Sequence, residues 1–237
     1  MIAFLGGLPI GPVMVPYAWI GFFLGLAVGI QFMKWHIRRT GVTRGDKVAN
    51  LLASIVVAWL IGWKFSNVIV SPLDGIRHPV SLLSLPEEPN AGAIAMTVAC
   101  LYGGYRYWRL RPPWRVVLDI WPFGLVAGGA MAVIFWPALG KSTGLPWGIH
   151  VYGGTFQPVN IYESIVLWMS LAAAWAIRTD EKGAWLLLFA GIGSLLVSLT
   201  SVHDSVFFGL SAGQWTALGM ALVGRAGIRW RTRGSTA

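Results

Sequence analysis

The chain has 237 residues, 56% of them hydrophobic and only 11% charged, against roughly 25% charged in an average soluble domain. Its 18 basic and nine acidic residues leave a net charge of +9, which in so apolar a chain reads as membrane topology plus attraction to anionic lipid, about 1 kcal/mol per basic residue near the surface. A soluble enzyme is excluded, and a nucleic-acid role would need an aqueous domain that this composition does not provide.

A hydrocarbon core about 30 Å thick calls for about 20 mostly apolar residues per helix. The opening stretch MIAFLGGLPIG has no basic n-region and no small-residue cleavage site, so it is read as mature protein. Seven apolar runs follow: Pro12 to Met33, Val48 to Val70, Ala91 to Tyr105, Val116 to Ala138, Asn160 to Ile177, Gly183 to Ser201 and Leu210 to Val223. Cys100, the sole cysteine, lies in the third run and is read as a small packing residue. No ten-residue segment alternates polar with apolar, which argues against an outer-membrane barrel, and no strand is expected anywhere. The predicted fold is an all-α integral membrane bundle of about seven transmembrane helices, one domain over residues 1–237.

Charge orients it. Lys34, Arg38, Arg39, Arg44 and Lys47 follow the first run; Arg106, Arg109, Arg111 and Arg115 the third; Arg178 and Lys182 the fifth; Arg225, Arg229, Arg231 and Arg233 form the tail. The even loops carry only Arg77 and Lys141. The positive-inside rule therefore puts the odd loops and the C-terminus in the cytoplasm and the N-terminus outside. Two outer loops are long. One, Ser71 to Asn90, contains the apolar PVSLLSL, suited to a short interfacial or re-entrant helix; the other, Leu139 to Val159, is rich in Gly and Pro with Trp147, His150 and Tyr152, suited to headgroup depth.

An ionisable group within a span is costly and by default a functional hypothesis. Lys64 is expected about seven residues from the outer end of the second helix, roughly 10 Å deep at 1.5 Å per residue, and Glu163 at similar depth in the fifth. Together they offer a cation for a phosphate or oxyanion and a carboxylate able to accept a proton. Alternatively they form a structural ion pair, or Lys64 snorkels outward alone. Asn160 and Glu163 also have the spacing of a capping box, a bland account that leaves Tyr162 unexplained. Asp119 beside Arg115 reads as an interfacial ion pair. The run TSVHDS supplies Ser, His and Asp, but adjacent positions cannot assemble a triad. His203 and His150, at the outer side, remain proton-acceptor candidates. Four scattered histidines lack the spacing of a zinc site, and no cofactor is implied.

Five stretches, in order and spacing, resemble the prolipoprotein diacylglyceryl transferases: IGPVMVPYAWIGFFLGLAVG, KVANLLASIVVAWLIGWKFSNVI, GLPWGI, QPVNIYES and GLSAGQW. The resemblance covers nearly the whole chain. It implies a bacterial plasma-membrane enzyme that moves a diacylglyceryl group from phosphatidylglycerol to the lipobox cysteine thiol of a lipoprotein precursor. FQPVNIYES corresponds to the family's H-P-S-Q-L-Y-E element, which gives Asn160, Tyr162 and Glu163 a shared explanation. With the two histidines added for their outer position alone, the expected catalytic set is Glu163, Tyr162 and His203 and the expected substrate-binding set Lys64, Asn160 and His150. Lys64 stands where the family has Arg in a G-G-R motif, keeping the charge without the bidentate fork.

Several family positions are altered. Ala95 replaces the His of G-G-M-S-x-H-G-G; Gly129, Ala132 and Pro137 replace Arg, Asn and Glu of G-R-x-G-N-F-x-N-G-E; Leu196 and Thr200 replace the late R-x-x-x-E pair. Two alternatives therefore stand beside the transferase: a catalytically silent relative that binds phospholipid or lipoprotein precursor, and an unrelated membrane transporter or scaffold.

Overall fold

The computed structural model describes residues 7–10, 13–42, 45–70, 90–136, 138–151, 153–179, 181–202 and 208–234. The expected PVSLLSL helix, and with it His203 and Tyr152, lie outside the described residues. A hairpin of β1 (Gly7–Ile10) and β2 (Val13–Pro16) leads into α1 (Tyr17–Thr40). Then come α2 (Gly45–Lys64), the short α3 (Ser66–Val70), α4 (Ala91–Leu110) and α5 (Trp114–Ile134). Strands β3 (Leu139–Ser142), β4 (Ile149–Val151) and β5 (Gly154–Pro158) precede α6 (Val159–Ala176), α7 (Lys182–Ser198) and α8 (Ala212–Gly234).

Helices α1, α2, α5 and α6 are long and apolar enough to cross a membrane, and α7 is a shorter apolar helix of 17 residues. These are the helices of a multi-pass membrane protein. The helix ends differ from the apolar runs in an instructive way. Helix α1 continues past Met33 to Thr40, so Lys34, Arg38 and Arg39 ride its last turns rather than a loop, and Gly41 closes it at φ 62°. Helix α4 likewise carries Arg106 and Arg109 and stops at Arg111, φ 42°, before Pro112 and Pro113. Long basic side chains extend from a helix towards water, so the hydrogen-bonded backbone outlasts the hydrophobic stretch. Cys100 is exposed on α4, not packed as expected.

The strands are a correction. Residues Leu139 to Pro158 form a three-stranded antiparallel sheet of order β3-β5-β4, where a Gly- and Pro-rich loop was expected. Ile149, Val151, Thr155 and Phe156 favour extended backbone, and Gly153 at φ 79° turns the chain between β4 and β5. Strands this short are invisible to a test that asks for ten alternating residues.

The contacts divide the chain into two compact units, residues 42–117 and residues 1–41 with 118–237. In the smaller, α2 and α4 pack antiparallel at small residues: a Cβ on Gly62 would stand 2.9 Å from the Val98 Cβ, and one on Gly103 3.0 Å from the Ile55 Cδ1. In the larger, Gly21, Gly25 and Gly29 recur every fourth residue of α1 and face Gly124, Gly128 and Ala132 of α5. A Cβ on Gly25 would lie 2.5 Å from the Gly128 carbonyl oxygen, and one on Gly29 2.6 Å from that of Gly124. With no hydrophobic drive between helices in lipid, such close backbone approach supplies the packing. Phe123, Val126, Ala127 and Ala130 of α5 meet Leu167, Leu171 and Ala174 of α6 and Leu186 and Ala190 of α7 in one buried core. Helices α7 and α8 repeat the small-residue device, with Gly191 against Ala217 and Gly224 against Ala184.

Candidate functional site

A polar side chain within an apolar bundle must find a partner or lose about 1–3 kcal/mol. The first turns of α6 meet that requirement on three sides. Asn160 and Ser164, four residues apart, share the face towards α5. Asn160 Nδ2 donates to the carbonyl of Ile134 at 3.0 Å and Ser164 Oγ to that of Ala130 at 2.8 Å. Ile134 ends α5, so its carbonyl is one of the four a helix leaves without an internal partner. Glu163 points to α7, where Ser194 Oγ donates to its Oε1. Tyr162 turns to the sheet, its hydroxyl accepting from Trp147 Nε1 at 2.8 Å.

These bonds overturn the capping-box account. The helix starts at Val159, after Pro158, and no side chain caps its N-terminus. Asn160 and Glu163 reach across to other helices instead, because both already lie inside the first turn. A true capping box stands elsewhere: Ser211 Oγ accepts from the Gln214 backbone N–H at 3.2 Å, and Gln214 Oε1 from that of Ser211 at 2.9 Å. The Ser-x-x-Gln spacing in GLSAGQW was the legible signal for it. Gln214 Nε2 also donates to Ser198 Oγ at 3.2 Å, tying the start of α8 to the end of α7.

The sheet completes the surroundings. His150 on β4 is exposed and hydrogen-bonded to its register partner Thr155 on β5, Nε2 to Oγ1 3.0 Å. On β3, Lys141 Nζ donates to the Leu199 carbonyl at 3.0 Å and its backbone N–H to Thr200 at 2.9 Å. That fastens the sheet to the end of α7. Buried Gln157 Oε1 on β5 has no hydrogen-bond partner. The structure thus joins Tyr162 to Trp147 and Glu163 to Ser194, and sets His150 on β4, just after the turn that carries Trp147. Lys64 is half-buried and is the last residue of α2, in the smaller unit, not seven residues inside a continuous span. Sequence reasoning missed Ser194, Trp147 and Lys141. Ser194 pairs with a residue 31 positions away, beyond any local spacing rule.

Two of the positions read as altered, Ala95 and Ala132, are packing residues. Ala95, where the family has His, is fully buried, its Cα 3.2 Å from where a Cβ on Gly62 would sit. The Ala132 methyl would lie 2.8 Å from a Cβ on Gly25, within the α1–α5 crossing. Leu196 is 62% exposed on an apolar helix, and Thr200 turns its hydroxyl back to the Val197 carbonyl. None of these positions offers a cation to a phosphate.

Comparison with known proteins gives the same kinship along the chain. It is 28% identical to the phosphatidylglycerol–prolipoprotein diacylglyceryl transferase of Cupriavidus necator over 242 aligned residues, covering 90% of this chain and 85% of that protein. It is 24% identical to the like-named protein of Nitrosospira multiformis, covering 94% and 85%, and 24% identical to that of Streptomyces griseus, covering 90% and 71%. No family model matches the chain. No solved structure matches it. Along nearly its whole length, then, the chain is similar to prolipoprotein diacylglyceryl transferases at 24–28% identity.

Proposed function

We propose that the protein is a multi-pass enzyme of the bacterial plasma membrane, its seven longer helices spanning with the N-terminus outside. It moves the diacylglyceryl group of phosphatidylglycerol to the lipobox cysteine of a lipoprotein precursor. The cysteine sulfur attacks the terminal glyceryl carbon, a C–S bond forms as the C–O bond to glycerol phosphate breaks, and the phosphate leaves as an anion. Glu163, oriented by Ser194, accepts the thiol proton, with Tyr162 next to it in the chain; His203 is kept in the catalytic set on its sequence position alone. His150 holds the phosphate, Lys64 of the smaller unit is kept as a substrate-binding candidate by its charge alone, and Asn160, committed to Ile134, keeps α6 in place against α5. The observation that supports this reading most is the whole-length similarity to three like-named transferases.

The packing roles of Ala95 and Ala132 favour a second reading, a catalytically silent relative that binds phospholipid or precursor in the inherited groove. One experiment separates the two. Purified protein is given phosphatidylglycerol and a lipobox peptide, an authentic family enzyme serving as control, and the peptide cysteine is examined by mass spectrometry. The transferase reading expects a diacylglyceryl adduct, reduced at least 100-fold by Glu163→Gln and strongly by Lys64→Ala. No adduct, with phospholipid still bound, establishes the silent relative.

A further inference from the structure

At the other end of α6 the polar groups are arranged differently. His36 of α1 is 3% exposed, stacked on Phe123 with ring centroids 3.8 Å apart, and edge-on to Trp175 at 5.7 Å. Its Nδ1 has no hydrogen-bond partner, and neither has Trp175 Nε1, although both atoms are buried. Two cations converge on the same indole: Lys182 Nζ lies 5.0 Å from the Trp175 ring centroid and the Arg39 guanidinium carbon 5.8 Å from it. Arg39 also lies 5.7 Å from the Trp35 ring. Lys182 opens α7, and Glu181 ahead of it caps no backbone N–H with its side chain. Lys182 thus stands at the positive end of the α7 helix dipole, a setting that favours an anion.

We propose that this cluster is a binding site for the phosphodiester of an anionic phospholipid, separate from the proposed transfer site. The two are about 18 Å apart along α6 at 1.5 Å per residue. Cation–π contacts hold Arg39 and Lys182 beside the ring while leaving their donors free for phosphate oxygens. The indole N–H, which has no acceptor among the described residues, gains one from such an oxygen. His36 in its Nδ1–H tautomer adds a further donor. A lipid fits better than a free anion because the donors sit on apolar helices, at the end where basic residues collect.

The test uses the full-length protein in mild detergent, with native mass spectrometry and thermal unfolding in the presence of phosphatidylglycerol, phosphatidylcholine or inorganic phosphate. The site predicts retention of phosphatidylglycerol at least tenfold over phosphatidylcholine and a matching thermal stabilisation. One bound phosphatidylglycerol per protein, with the stabilisation it brings, should be lost in Arg39→Gln/Lys182→Gln and kept in Lys182→Arg and in Glu163→Gln, lipid at the proposed transfer site remaining in the double variant. Trp175→Phe, which removes only the N–H and keeps the ring, serves if the double variant fails to fold, and should weaken the preference about threefold. Equal retention of the two lipids by the wild-type protein, or a preference unchanged in both Trp175→Phe and a folded double variant, overturns the proposal. So does stabilisation by inorganic phosphate equal to that by phosphatidylglycerol, which would make the ligand a free anion.

Discussion

The two ends of α6 solve the same problem in opposite ways. At Asn160 to Ser164 each polar side chain is bonded within the protein: Asn160 to Ile134, Tyr162 to Trp147, Glu163 to Ser194 and Ser164 to Ala130. At Trp175 the indole N–H and the His36 Nδ1 have no partner, and two cations crowd the ring. A buried polar atom without a partner costs free energy unless something from outside supplies one. The first end is therefore preorganised by the protein, and the second waits for a ligand.

The comparison can be broken most severely through what supports both ends. Gly25→Leu puts a side chain where only 2.5 Å separates a Cβ from the Gly128 carbonyl. It should cost about 3 kcal/mol or more and sharply lower the yield of folded protein, as followed by thermal unfolding in detergent. Next in size, Asn160→Ala with Ser164→Ala removes two bonds to α5. Loss of about 1–2 kcal/mol is expected, since interhelical hydrogen bonds in membrane proteins average about 0.6 kcal/mol each and reach about 1.7. A stability unchanged by the pair would show that these bonds hold nothing together.

A smaller and sharper contrast comes from removing a single polar group at each end. Tyr162→Phe strands the Trp147 N–H and should destabilise by about 1 kcal/mol. Trp175→Phe deletes an N–H that had no partner, so without anionic lipid it should be neutral or stabilising by a few tenths of a kcal/mol, apart from the ring's smaller area. Opposite signs in the two variants support the contrast; equal losses would dissolve it. Ser194→Ala removes the donor to Glu163 Oε1 and should destabilise by about 1 kcal/mol. In the transferase reading it should lower turnover about tenfold with little change in KM.

Much of the architecture was legible beforehand because membrane burial imposes a length and a composition on each helix. The seven runs of the sequence fall on helices, the second divided between α2 and α3, with ends displaced where basic residues extend the backbone beyond the apolar stretch. The small sheet was not legible, since four or five residues of Ile, Val, Thr and Phe between glycines carry no distinctive period. At the site, the sequence singled out Asn160, Tyr162 and Glu163 as anomalies at the head of an apolar run, and these are the residues that bond across to α5, the sheet and α7.

By itself the sequence determined the class of protein, the order of its apolar helices, the segregation of basic residues and the resemblance to a known family. All of these follow from composition, local period and ordered motifs. Only the tertiary structure decided the partner of each polar group. Ser194 meets Glu163 across 31 residues and Ile134 meets Asn160 across 26, pairings set by glycine crossings that bring backbones into contact. A local spacing rule reaches three or four residues along a helix. Where the partner lies on another helix, packing alone selects it.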